Sequence, residues 1–234
     1  MRASIGFGLA CAALCGCGHA VNLTPARDAV TVPGRPEAAE ASARGVDIVV
    51  DGNDWSGPDI DGQLTPVKVS IVNRGRHPLR IRYDAFSVTG ESGFQLAALP
   101  PYQAASAVPP AVYAPQLVYG GFYVAPWEAP FYPGIAPWSG PFTGAPGYMS
   151  TYGAAFPDAY RIRAVLDRAI PEGVLEPGGH VTGFIYFQGL GAHGPDVVFR
   201  ADLVDADTGA MRGRLAIPFV VTHRGKPVAP QARR

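Results

Sequence analysis

Cysteine is missing from almost the whole chain. Its three cysteines, Cys11, Cys15 and Cys17, all fall in the first 17 residues. The remainder can form no disulfide and no thiolate metal site, so its stability has to come from packing. Charge is scarce too, at 16% of residues against a usual quarter. Lys+Arg and Asp+Glu stand at 19 each, which excludes the basic footprint of a nucleic-acid binder. No apolar run approaches the length of a membrane-spanning helix. Glycine and proline are abundant, 29 and 24 residues. This load favours many turns and argues against a helical bundle.

The N-terminus reads as a targeting segment. Met1-Arg2 is a short positive start, and residues 3–14 form a mostly apolar run of small residues, too short to span a bilayer. The run closes on Leu14-Cys15-Gly16-Cys17. This resembles the bacterial lipoprotein signal, in which a Leu-x-Gly-Cys box is cut just before a cysteine that then carries lipid. The resemblance implies removal of residues 1–16 and lipidation at Cys17, with membrane attachment through that residue. Cys15, where a small Ala or Ser is usual, departs from the pattern. Cys11 competes less well, having Gly8 at minus three, and an ordinary secretory signal cut after Ala20 is the plainer alternative. Gly18 after the lipidated cysteine implies, by the same resemblance, sorting to the outer membrane, facing the periplasm or cell surface.

Residues 17–45 lack a sustained apolar face and read as a flexible tether with a reach of roughly 30 Å. Strand patterns begin at Val46, where Val46, Ile48 and Val50 share one face. A loop with four carboxylates follows, Asp51, Asp54, Asp59 and Asp61. Hard oxygen ligands would suit calcium, but the spacing does not fit an EF-hand, and a solvated loop capped by Asx turns is the plainer reading. Val67, Val69 and Ile71 alternate against Lys68 and Ser70. The turn residues 73–78 and the resumed alternation at 79–83 predict a hairpin. The phase breaks at Ala85-Phe86, marking a bulge or a new strand, and residues 94–96 complete a second hairpin.

Composition then changes. Residues 100–157 hold 12 prolines, 13 aromatics and one charge, Glu128, which is over half of all aromatics in a quarter of the chain. Proline at this density breaks helix and ladder alike, so the segment reads as a long irregular insertion. It could cover an open sheet face, or serve as a contact surface through Tyr123, Trp127, Tyr132 and Trp138, or be idle. A short helix is expected over 158–168, with Ile162, Val165, Leu166 and Ala169 on one face. Residues 174–179 read as an approach and turn. Residues 180–187 are apolar on both faces, hence a central strand. Alternation at 197–203 and 214–221 gives two more strands, with Pro218 hinting at an edge. A polar tail, 223–234, ends the chain.

The pattern Val67, Val69, Ile71, Asn73, Gly75, Pro78, Leu79, Ile81, Tyr83, Phe86, Val88 resembles exported bacterial lipoproteins with an immunoglobulin-like sandwich. Residues Pro171-Glu172-Gly173, Leu175, Pro177-Gly178, Val181 and Gly183 to Phe187 resemble their second signature. The first half is also faintly similar to the water-stress-type sandwich of late-embryogenesis-abundant proteins. The resemblance implies an all-β, antiparallel immunoglobulin-like β-sandwich of about seven strands, split into halves at 46–99 and 158–222, and it brings no catalytic residues.

The search for chemistry adds none. Gly90-Glu91-Ser92-Gly93 is not a nucleophile elbow. His19, His77, His180, His193 and His223 form no ligand pair, although His180 and His193 could flank one loop end. Asp202, Asp205 and Asp207 crowd a strand end, where a solvated turn is the plain reading. The expectation is a non-enzyme without cofactor or metal, a lipid-anchored envelope protein making contacts with protein partners. The alternative is a glycan- or peptidoglycan-associated protein or enzyme stacking sugars on Trp55, Trp127 and Trp138. An assembly factor for a larger envelope complex is a third.

Overall fold

Where the apolar phase of an alternation can be buried, the chain forms strand. A computed structural model describes residues 21–56, 64–90, 93–101, 117–140, 165–192 and 194–223. Among these lie twelve strands: β1 (Val21–Pro25), β2 (Val30–Val32), β3 (Arg35–Ala43), β4 (Val46–Asp51), β5 (Leu64–Asn73), β6 (Leu79–Ile81), β7 (Phe86–Gly90), β8 (Gln95–Ala97), β9 (Val118–Val124), β10 (Gly173–Gln188), β11 (Asp196–Asp205) and β12 (Met211–His223). Their ladders are antiparallel, in the order β1-β12-β11-β6-β10-β5-β4-β3-β2, with β7 also on β11, β8 on β7 and β9 on β10. The all-β class expected from the alternation is the class observed. No helix among the described residues is long and apolar enough to cross a membrane.

The organising strand is β10. One of its edges receives β9, paired at residues 173–175 and again at 180–182. The other edge receives β5 opposite residues 180–188 and β6 opposite residues 173–175. β5 and β6 therefore lie end to end along one edge of β10. The hairpin expected across residues 73–78 does not form, because the chain loops out there and then continues in the same direction. The turn chemistry is present but serves a bulge. Asn73 accepts the Gly75 N–H on Oδ1 at 3.0 Å, and its Nδ2 donates to the carbonyls of His77 at 2.9 Å and Leu175 at 3.0 Å. Facing it, β10 carries its own irregularity between Leu175 and His180, with Gly178 at φ 80°. Residues 174–179, expected as approach and turn, belong to the strand. From this joint β5 leads outward to β4, β3 and β2, while β6 leads to β11, β12 and β1. The strands thus make one continuous sheet whose two arms share β10 and lie as the two sheets of a sandwich-like arrangement.

The dry interior lies between them. Ile48, Val50, Val67, Val69 and Ile71 face Phe199, Ala201, Leu203, Ile217 and Phe219, with Val181, Ile185 and Phe187 between, all fully buried. Phe187 and Phe199 meet edge to face with ring centres 6.2 Å apart. The other face of β10 is covered as well. Trp55 packs edge-on against Phe184 at 5.0 Å and Tyr186 at 5.9 Å. The Phe184 carbonyl accepts the Ile170 N–H at 2.9 Å. Val165, Leu166 and Ala169 are buried as the helical pattern requires, and residues 165–166 are helical. Residues 167–168, expected to continue the helix, are a turn with Arg168 buried, and 158–164 lie outside the described residues.

Two further expectations are corrected, and one alternative is decided. Residues 21–43 are not a flexible tether but three strands. β1 pairs with β12, from Val21 opposite His223 to Pro25 opposite Phe219, and β3 pairs with β4. The signal was missed because small residues carry the burial: Ala38, Ala39 and Leu23 are at 0% exposure. A two-residue turn joins β3 to β4, with Arg44 and Gly45 at φ 54° and 80°, the type I′ pattern that suits a hairpin. Next, β12 is not an edge over its C-terminal half. Pro218 sits just beyond the β1 ladder, its carbonyl accepting the Ala26 N–H at 3.1 Å. Last, the break at residue 85 is a new strand. A 3-10 turn, Tyr83–Ala85, leads into β7, which pairs with β8 as the second predicted hairpin.

Candidate functional site: an aromatic segment held by buried carboxyls

The insertion was expected to be irregular throughout, yet residues 118–124 form β9. Prolines flank this stretch and leave Val-Tyr-Gly-Gly-Phe-Tyr-Val free to join the β10 ladder. Gly121, at φ 61°, lets the strand follow the bulge in β10. Phe122 and Val124 turn inward and are buried, while Val118, Tyr119 and Tyr123 face out at 59%, 40% and 36% exposure.

The chain then folds back over β9. A 3-10 turn, Ala129–Phe131, reverses it. The Val124 N–H donates to the Ala136 carbonyl at 3.0 Å, and the Trp138 N–H donates to the Val124 carbonyl at 2.8 Å. The Tyr119 hydroxyl donates to the Gly134 carbonyl at 2.8 Å. Trp138 is thereby placed beside Tyr123, ring centres 5.7 Å apart at 60°. Around Tyr119, Leu117, Phe131, Tyr132, Ile135 and Leu166 help line an apolar cavity of about 390 Å³.

Of the four aromatics singled out in the sequence, the fold brings exposed Tyr123 against half-buried Trp138. It turns the other two inward. Tyr132 is 8% exposed, and half-buried Trp127 donates its indole N–H to Glu172 Oε2 at 3.2 Å. Cys17 lies outside the described residues.

Sequence reasoning missed what secures this segment. Glu128, its one charge, is 1% exposed, and so is Glu172, just ahead of β10. The Tyr83 hydroxyl donates to Glu128 Oε2 at 3.3 Å, and the Tyr83 N–H to Glu172 Oε1 at 3.2 Å. Arg82 Nε stands 3.8 Å from Glu172 Oε1. Burial first, then the neighbouring Glu172 charge, hold the Glu128 carboxyl well above the usual range. The available clue was the isolation of one charge in 58 residues, since a lone carboxylate in an apolar stretch either reaches solvent or finds buried partners. Chemically, the arrangement keeps a proton on a carboxyl pair.

The other singled-out groups serve the frame. Asp51 accepts from Arg35 at 2.9 Å and from the Asn53 N–H at 3.0 Å, an Asx turn. Asp205 is buried, which corrects the solvated turn. Its Oδ1 accepts from the Asp207 and Thr208 N–H groups at 3.1 and 2.9 Å, and its Oδ2 from Arg212 at 3.0 Å. Asp202 pairs with Arg214. His180 is exposed over Gly120, and His193 lies outside the described residues.

No protein-family model, curated protein or solved structure matches the chain.

Proposed function

We propose that this protein is an exported, lipid-anchored envelope protein, attached through Cys17 and acting without catalysis. Its contact surface is Tyr123 and Trp138 together with Tyr119, which lines the apolar cavity, and its partner is another envelope protein. One observation carries the reading: the Tyr123–Trp138 pair is fastened to a ladder strand by backbone bonds on both sides of Val124. Aromatics held this way present contact area with little ordering left to lose. The lipoprotein-like box supports the anchor, and the balanced charge agrees with a partner other than nucleic acid. Sugar stacking is favoured less, since Trp55 and Trp127 are engaged internally.

Two measurements test the proposal. Radiolabelled palmitate enters the wild-type chain and not Cys17→Ser; equal labelling of both removes the anchor. In-cell crosslinking recovers an envelope protein with wild type and loses it with Tyr123→Ala/Trp138→Ala, while a glycan array stays at background. A glycan signal lost in that variant would favour the sugar-binding alternative.

A further inference from the structure

Glu128 and Glu172 come from parts of the chain with different freedom. Glu172 leads directly into β10, at the centre of both sheets. Glu128 belongs to residues 125–135, whose backbone bonds are mostly internal: Glu128 N–H to Ala125 O, Phe131 N–H to Glu128 O, Ile135 N–H to Tyr132 O. One backbone bond, Ala125 N–H to Glu172 O at 2.8 Å, ties its start to the sheet. Beyond that, Glu128, the Trp127 indole, the Tyr119 hydroxyl on the Gly134 carbonyl and the buried faces of Tyr132 and Ile135 hold it down, and the backbone bonds of Val124 to Ala136 and Trp138 tie its far end to β9.

The donors divide unequally. Glu172 takes an N–H on each oxygen, from Tyr83 and from Trp127, and has the Arg82 guanidinium nearby. This is a setting for a carboxylate. Glu128 Oε2 accepts from the Tyr83 hydroxyl, the Glu172 backbone also bonds its carboxyl, and Oε1 meets no hydrogen-bond partner. The charged and titratable groups placed against the pair include Tyr83 and Arg82 from the β6–β7 connection, with Asp84 beyond. Arg82 is itself drawn to Asp84 at 2.9 Å. Arg82 is thus shared between Asp84 and Glu172, and its Nε stands at 3.8 Å from Glu172, beyond hydrogen-bond reach.

We propose that Glu128 and Glu172 form a proton-operated latch: with Glu128 neutral, residues 125–138 stay docked on the sandwich, and loss of its proton frees them. The direction follows from linkage. Glu128 binds its proton more tightly docked than undocked, so docking is strongest below the ordinary glutamate range. It weakens steadily as pH rises from there toward the docked value. Acid closes the latch and base opens it. The consequence for partner contact rests on the function proposed above; the latch itself is measured without a partner, so either can fail alone.

Amide hydrogen exchange on the full chain between pH 5 and pH 9, corrected for intrinsic rates, tests it. Protection of residues 125–140 should fall with pH by up to about tenfold per unit, while β5 and β12 hold theirs. Glu128→Gln should keep the segment protected at every pH. Protection that ignores pH in wild type, or a Glu128→Gln variant with the wild-type slope, overturns the proposal. Should Glu128→Gln not fold, Glu172→Gln replaces it. Its slope should shrink but persist, because burial is the larger cause, and an unchanged slope overturns the latch.

Discussion

Gly173 has no side chain where the carbonyl oxygen of Tyr123 needs the room. A Cβ on Gly173 would stand 2.1 Å from that oxygen and 2.6 Å from the Phe122 ring. This contact presses the aromatic strand onto β10. Gly173→Ala is expected to cost about 1–3 kcal/mol, as overpacking does, and to loosen β9 first. Thermal unfolding gives the cost, and early proteolysis near residues 118–124 gives the location.

Asn73 joins residues about a hundred positions apart in sequence. It is 1% exposed and serves His77 O, Leu175 O and the Gly75 N–H together. Asn73→Ala leaves these groups unpaired at the joint between the sheets, at about 1–3 kcal/mol. A lowered urea midpoint with an unchanged slope is the expected reading.

Leu23 separates a tether from a strand. It is fully buried, and its Cβ lies 2.3 Å from where a side chain on Gly52 would begin. Leu23→Ala should lower stability by about 3 kcal/mol, whereas an uncoupled tether would register nothing. Chemical denaturation decides between the two.

Asp205 has the opposite pH sign to Glu128. The Thr208 backbone N–H first, with help from the Thr208 hydroxyl and Arg212, lowers its carboxyl below the ordinary 3.8 despite burial. Its contribution is therefore present above that value and is lost as pH falls through the lowered one. Asp205→Asn should cost about 1–2 kcal/mol near neutrality, and the gap to wild type should close in strong acid. Denaturation midpoints of both proteins across that range provide the check.

Strands β4, β5, β11, β12 and the middle of β10 were legible because each alternates strongly and buries one phase. β3 was not: its buried residues are alanines, and Glu37 and Glu40 obscure the pattern. β9 was hidden by the prolines on either side of it and by its own glycines, whose meaning depends on the bulge they face. The hairpin failed for a related reason. Residues 73–78 have turn chemistry, but only the distant Leu175 carbonyl settles whether the chain reverses or continues. Within the site, Tyr123 and Trp138 could be named as candidates but not as neighbours. Glu128 stood out as a lone charge, while its partners Tyr83 and Glu172 lie 45 and 44 positions away.

The pairing of Val21 with His223 has a consequence for how the molecule comes into being. A chain that emerges from its N-terminus displays β1 before β12, the one strand that can receive it, has been made. Leu23 must wait outside for the last strand, and its place in the core stays vacant meanwhile. The fold therefore closes only once β12 has been made, and a chain stopped short of Phe219 would retain an unsealed seam beside β11.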